Sequence, residues 1–251
     1  MRIKLTIEYD GTNFAGWQQQ ANVYSVQQAI QDAIKELTKQ NVTLHCCGRT
    51  DAGVHALQQV AHFDLPKNSN IELKKLRPGI NHYLIQNSKS SNQVSITNAK
   101  MVEDGFHARF NTKKRAYKYK ILNRNAPPAI LYNRVWHIKT PLDIDNMQQC
   151  GNILLGTHDF SSFRAAECQA QTPIKTLDKI KVSVESDIIS IYVEAKSFLH
   201  HMVRNIVGTL YLAGSKKITP TDMQKILLAK DRSRAGQTAP ACGLYFYKVW
   251  Y

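Results

Sequence analysis

Residues 2–9 alternate without a break, with Ile3, Leu5, Ile7 and Tyr9 on one side and Arg2, Lys4, Thr6 and Glu8 on the other. A period of two with one apolar side predicts a half-buried strand, and its covered face requires a second layer. That layer comes next. After a turn at Asp10-Gly11 and a loop, FAGWQQQ, in which Phe14 and Trp17 flank Gly16, Ser25 and Gln28 are spaced as a capping box. They open a helix whose apolar stripe is Val26, Ala29, Ile30, Ala33, Ile34 and Leu37, the spacing of a helix face packed on a sheet.

The same cadence continues. Residues 42–46 and Leu57–Phe63 read as strands, and 71–85 as a helical stretch interrupted at Pro78-Gly79. Residues 92–103 read as an extended segment with Val94, Ile96 and Ala99 inward. In the second half, Arg115–Leu122 is a strand with Tyr117, Tyr119 and Ile121 on one face, and Asp143 starts a helix carrying Ile144, Met147 and Leu154. Residues 174–185 and 188–196 are two strands turning at Ser186-Asp187. Residues 200–213 form a helix with Met202, Val203, Ile206, Val207 and Leu210 buried and Gly214 in the C′ role. Thr219-Pro220 opens a further helix, and LYFYKVWY closes the chain as an aromatic strand. The order predicts an α+β chain with helices on one face of a sheet, in two halves that meet near residues 104–112.

The 251 residues carry 33 basic and 19 acidic side chains, a formal charge of +14. A surplus of that size draws in polyanions, and nucleic acid leads among them. Five cysteines, Cys46, Cys47, Cys150, Cys168 and Cys242, form no C-x-x-C pair and no zinc spacing. With an odd number and a chain this long, a reducing cytoplasm is the expected home. The first residues read as a strand rather than a signal peptide, and no run approaches the ~18 apolar residues of a membrane span.

The stretch with most chemistry is GRTDAGVH, residues 48–55. Its glycines permit positive φ and close approach, and Arg49 and Asp51 stand two residues apart at the tip of the turn. Alone, it reads either as a polar turn in which Asp51 caps the backbone or as a held carboxylate with an arginine beside it. Residues 105–120, GFHARFNTKKRAYKYK, interleave six basic residues with four aromatics. That composition suits phosphates and unpaired bases, and equally a half-exposed strand. FRAAECQAQTP, residues 163–173, is a polar loop, and Arg204 falls on a helix that is otherwise apolar. His200-His201 cannot share a helical face, which argues against a metal site. No P-loop, dinucleotide-binding glycine run, H-E-x-x-H or nucleophile elbow is present.

Taken together, GRTDAGVH, FAGWQQQ, the FHARF and Y-x-Y segments, the F-R-x-x-x-C-Q loop, HHMVRN and the closing AP-A-x-GL resemble the TruA-type tRNA pseudouridine synthases, in order, over nearly the whole chain. The resemblance implies a pseudouridine synthase fold. That fold is α+β, with two ferredoxin-like or RNA-recognition-like halves, a continuous mainly antiparallel sheet and a central basic cleft. The halves would span 1–105 and 106–251. It implies isomerisation of uridine at positions 38, 39 and 40 of the tRNA anticodon arm, by a homodimer without cofactor or metal.

By the same resemblance Asp51 is the catalytic carboxylate. Arg49 fills the space left by the flipped base, Tyr117 stacks on the uracil while Tyr119 belongs to the core, Arg204 pairs with Asp51, and Leu244 packs on the uracil. Phe106, His107, Ala108, Arg109 and Phe110, with Glu167, Cys168, Gln169, Ala170 and Gln171, would contact tRNA. The competing readings are an RNA-binding protein without activity and a metal-dependent nuclease, which would need clustered carboxylates that this sequence lacks.

Overall fold

The computed structural model describes residues 1–66, 69, 71–90 and 92–251. In chain order its strands and α-helices are β1 (Arg2–Tyr9), α1 (Val26–Thr38), β2 (His45–Cys46), β3 (His55–Asp64), α2 (Leu73–Gln86), β4 (Val94–Val102), β5 (Lys114–Asn123), β6 (Trp136–Ile138), α3 (Ile144–Asn152), β7 (Gly156–Asp159), β8 (Ile174–Glu185), β9 (Ile188–Ala195), α4 (Met202–Gly214), α5 (Pro220–Ala229) and β10 (Leu244–Trp250). The chain forms two compact units, Met1–Lys113 with Tyr245–Tyr251, and Lys114–Leu244.

In the first unit the strand order is β4-β1-β3-β10, with β2 paired to β3. β1 is antiparallel to both neighbours, and β10 runs parallel to β3 through Tyr245↔His55 and Phe246↔Ala56. Ile3, Leu5 and Ile7 are fully buried on one side of β1, as are Val26, Ala29, Ile30 and Ile34 on α1. Each of these Val, Leu and Ile side chains contributes about 2 kcal/mol of transfer free energy, so the alternation in β1 and the stripe in α1 set the layer. The last strand returns to this unit, and Lys113 donates its N–H to the Trp250 carbonyl at 2.9 Å. The segment 103–113 therefore stays with the sheet that precedes it.

In the second unit the order is β5-β9-β8-β7, antiparallel throughout, with β6 added parallel to β5. Tyr119, Ile121, Ile189, Ile191 and Val193 are buried on one face with Met147 of α3 and Ile206, Val207 and Leu210 of α4. The five helices and the mainly antiparallel strands of the described residues make an α+β chain.

Four local expectations change. The strand expected over 42–46 shortens to His45–Cys46. Helix α2 runs through Pro78 and Gly79 instead of breaking there. A Cβ on Gly79 would stand 2.7 Å from a Leu37 methyl, so this glycine marks where α1 and α2 meet. Gly214 ends α4 as its last helical residue, with Ser215 as the C-cap at φ −80°. Its missing side chain makes room for Met147, whose Sδ would lie 2.8 Å from a Cβ. Finally, α4 begins at Met202, leaving His200 outside the helix and His201 as an N-cap at φ 60°. Their rings pack with centroids 4.0 Å apart, so the helical-face argument about this pair does not apply.

Candidate active site

The GRTDAGVH loop joins β2 to β3, and its conformation is imposed from several sides. Gly53 takes φ 75°, a region closed to most side chains. The Val54 N–H donates to the Asp51 carbonyl at 3.2 Å, closing the turn. Below the tip, Thr50 is buried, its hydroxyl 2.7 Å from the Tyr9 hydroxyl at the end of β1. Gln59 of β3 donates to the Gly48 carbonyl at 2.8 Å. Burial holds the Tyr9 phenol in its protonated form, well above the usual range, so it remains available for this hydrogen bond.

The two glycines before α1 bring their backbones against the same loop. A Cβ on Gly11 would lie 2.0 Å from the Val54 carbonyl oxygen, and one on Gly16, at φ 96°, would lie 2.7 Å from the Thr50 carbonyl oxygen. The Thr50 carbonyl accepts the Trp17 N–H at 3.0 Å, and the Gly11 N–H donates to His55 Nδ1 at 3.0 Å. The Asp10-Gly11 turn and the FAGWQQQ loop thus buttress the Asp51 turn. Their support comes from backbone atoms, which sequence reading missed; the glycines themselves were the visible signal. At the tip Arg49 is exposed and Asp51 half-buried.

Ser25 Oγ accepts the Gln28 N–H at 3.2 Å as the capping spacing predicts. The next side chain, Gln27, accepts from the Gln19 N–H and donates to the Leu44 carbonyl. These bonds tie the early loop to the chain entering β2.

Tyr117, Arg204 and Leu244 belong to the second unit. Tyr117 is buried on β5 opposite Val193, its ring edge-on to Phe198 with centroids 5.1 Å apart. Tyr119 is fully buried and donates to the Pro240 carbonyl at 2.8 Å, a core residue as expected. A Cβ on Gly243 would meet the Tyr119 ring at 2.5 Å. Leu244 is buried one residue later.

Arg204 stands in the first turn of α4. Its Nε donates to the Ala239 carbonyl at 2.8 Å, and the Ala239 N–H returns to the Arg204 carbonyl at 3.1 Å. Segment 236–239 can lie this close because Gly208 faces it: a Cβ there would sit 1.7 Å from the Gln237 oxygen. Buried Asn205 reinforces the contact, accepting from Thr238 at 2.7 Å and Arg232 at 3.0 Å. Neither Asn205 nor Arg232 stands out in the sequence as holding this segment.

Loop 167–171 is organised by Arg164, which donates to the carbonyls of Cys168 (2.6 Å) and Ala170 (2.9 Å). Burial raises the Cys168 thiol pKa, but the N–H groups of Ala170 and His200 and the Arg164 guanidinium outweigh it and leave it below its ordinary value. Glu167, Gln169 and Gln171 are exposed around it.

The Phe106–Phe110 turn belongs to the first unit. Ala108 is buried, its N–H donating to His62 Nδ1 at 3.2 Å and its carbonyl accepting from Thr112 and Tyr251. Arg2 grips the turn at the Phe106 carbonyl (2.9 Å) and at the Asp104 carbonyl. Arg109 and Phe110 project outward, with the Phe110 ring 76% exposed.

Burial, then the neighbouring charges of His107, Arg2 and His45, hold His62 down to about 4. An unfolded histidine titrates near 6.5, so between those values the unfolded chain binds a proton that the native chain does not. This contribution to stability is complete above about pH 6.5 and is lost as pH falls towards 4. Urea midpoints at pH 7 and pH 5 should therefore differ, and His62→Asn should shrink that difference.

A carboxylate and an arginine on a braced turn, with a basic aromatic turn on the same α+β frame, suit an enzyme that acts on a polyanion. Comparison with known proteins makes the class specific. The family described as tRNA pseudouridine synthase matches residues 5–111 and 152–251. Proteins named tRNA pseudouridine synthase A from Ehrlichia chaffeensis and Wolbachia pipientis wMel are 49% and 48% identical to the chain, over the full length of both partners. The one from Rhodospirillum centenum is 48% identical over all of this chain and 99% of its own. The chain belongs to the tRNA pseudouridine synthase family.

Proposed function

We propose that the chain is an isomerase that converts uridine to pseudouridine in the anticodon stem-loop of tRNA, at positions 38, 39 and 40, with Asp51 as the catalytic carboxylate. The observation that carries this reading is the bracing of the Asp51 turn by Gly11, Gly16 and the Thr50–Tyr9 hydrogen bond. A turn that only needed to be polar would not require two backbones pressed against it.

The reaction breaks the N1–C1′ bond, forms C5–C1′, and moves a proton from C5 to N1 by way of solvent. Reactant and product are isomers, so no co-substrate is consumed. Asp51 acts covalently or electrostatically on the sugar or base while the uracil turns over. The target must leave the helix stack, at a cost of a few kcal/mol. On this reading Arg49 occupies the space it vacates, Tyr117 stacks on the uracil, Leu244 packs against it and Arg204 pairs with Asp51.

Position supports a role for Arg204 beyond folding. A cation in the first turn of a helix opposes the helix dipole, at a cost of about 0.3–1 kcal/mol, and the helix would be better served by almost any neutral residue. Phe106–Phe110 and 167–171 serve as tRNA contacts, the +14 charge draws the RNA in, and two copies of the chain act as a homodimer in the cytoplasm. Among the described residues no helix is long and apolar enough to cross a membrane.

The test is release of tritium from uracil-C5-tritiated tRNA into water, without added metal or nucleotide. Release at micromolar tRNA is the expected result. A protein that binds tRNA and never releases label is an RNA-binding module, and the proposal fails.

A further inference from the structure

Beside the Phe106–Phe110 turn, the sheet face of the first unit opposite the buried Ile3, Leu5 and Ile7 carries a row of basic groups. Strand register sets Lys100 of β4 beside Lys4 of β1, Lys4 beside His62 of β3, and His62 beside His45 of β2. His107 closes over the row, its ring centroid 4.7 Å from His62 and 5.6 Å from His45, while His45 stacks on His62 at 5.1 Å. The Lys4 ammonium lies over the rings of Tyr251 (4.0 Å) and Phe106 (4.9 Å). Among the described residues no carboxylate pairs with Lys4, Lys100, His45 or His107. The nearby Asp64 is held by both arms of Arg2, at 2.8 Å each.

Hydrogen bonding determines what these rings offer. His107 Nδ1 accepts the N–H groups of Arg109 (3.1 Å) and Phe110 (3.4 Å), and His62 Nδ1 accepts that of Ala108. A neutral imidazole that accepts at Nδ1 carries its proton on Nε2. Both rings are therefore fixed as Nε2–H donors, and burial keeps both pKa values below the ordinary histidine range. This arrangement does not suit a metal, because the Nδ1 lone pairs of His62 and His107 are already used, His45 stacks on His62, and Lys4, Arg2 and Arg109 would repel a cation. A phosphate oxygen meets a donor and cations there.

We infer that His45 and His107, flanked by Lys100 and Arg109 and supported from beneath by buried His62, bind a phosphodiester of the RNA substrate. The adjoining base stacks on Phe110, whose exposed ring lies 4.3 Å from His107. This rests on tRNA being the substrate, and it adds the strand residues to the contacts of the turn. His62 is 1% exposed and acts by positioning the turn and its neighbours.

The experiment measures binding of a labelled anticodon-arm hairpin, and turnover of tRNA, by the full chain carrying His107→Phe, His107→Gln, His45→Phe or His45→Gln. Phe keeps the ring and removes the donor; Gln keeps an N–H donor at about the Nε2 position. Each Phe variant should weaken binding about 10- to 150-fold, the range of one lost hydrogen bond to a charged group. The Gln variants should stay within about threefold. His45 is exposed, so His45→Phe tests the site without disturbing the core even if His107→Phe folds poorly. Phe variants that bind as the parent does, or Phe and Gln variants that weaken alike, overturn the inference. A parent chain that binds the hairpin and releases no tritium overturns the proposed reaction, while the binding comparison stays readable.

Discussion

Asp51→Asn is expected to reduce tritium release by at least about 10³-fold while tRNA affinity stays within about threefold of the parent. The substitution is nearly isosteric and removes one negative charge facing a polyanion, so binding should hold or tighten slightly. The amide can neither form the covalent adduct nor stabilise a developing cation, and losses of a group that forms an intermediate commonly reach several orders of magnitude. The loop itself should survive. The interactions that shape it include the Thr50 hydroxyl and carbonyl, the Gly48 carbonyl, the Asp51 backbone carbonyl and the approach of Gly11 and Gly16. Release that persists in the purified variant assigns the chemistry to another residue, and an equal collapse of affinity and turnover would make Asp51 a binding group.

Gly11→Ala should also be damaging, although Gly11 lies far from residues 48–55 in the sequence. Its new Cβ would stand 2.0 Å from the Val54 carbonyl oxygen, where real Cβ contacts need at least about 3 Å. The neighbour is backbone, so no side-chain rotation relieves the clash, and the β3 end of the Asp51 loop must move by about 1 Å. That shift also strains the hydrogen bond from Gly11 N–H to His55. A displacement of this size at a reacting carboxylate costs on the order of 10²-fold in kcat, and overpacking of this kind destabilises by about 1–3 kcal/mol. Gly105→Ala is the matched control, since nothing lies within 4 Å of a Cβ there. It should be neutral in turnover and urea midpoint. Equal behaviour of the two variants would mean that the loop does not depend on this approach.

Much of the frame can be read from the residues. Where one face must be apolar, period and packing agree, so β1, α1, β5 and β9 fall where their patterns predict. The misreadings occur where a local rule meets a close neighbour. Pro78-Gly79 looks like a break, yet α2 continues because Gly79 sits against Leu37 and the helix is held by packing. Gly214 looks like a left-handed cap, yet it is a space for Met147. In both cases glycine serves a contact with a residue remote in sequence, and no local pattern records that contact.

The sequence by itself determined the α+β class, the family, the loop bearing Arg49 and Asp51, and the basic aromatic turn. These follow from hydrophobic period, charge and contiguous motifs, which are local quantities. Tertiary structure alone decided that the final strand completes the first unit beside β3, that Gly11 and Gly16 brace the Asp51 turn, and that His45 and His62 lie under His107. Each of these joins residues tens to hundreds of positions apart through backbone approach, strand register or ring stacking. Such contacts exist only once the chain has folded, so the sequence shows the parts of the site and the fold shows what holds them in place.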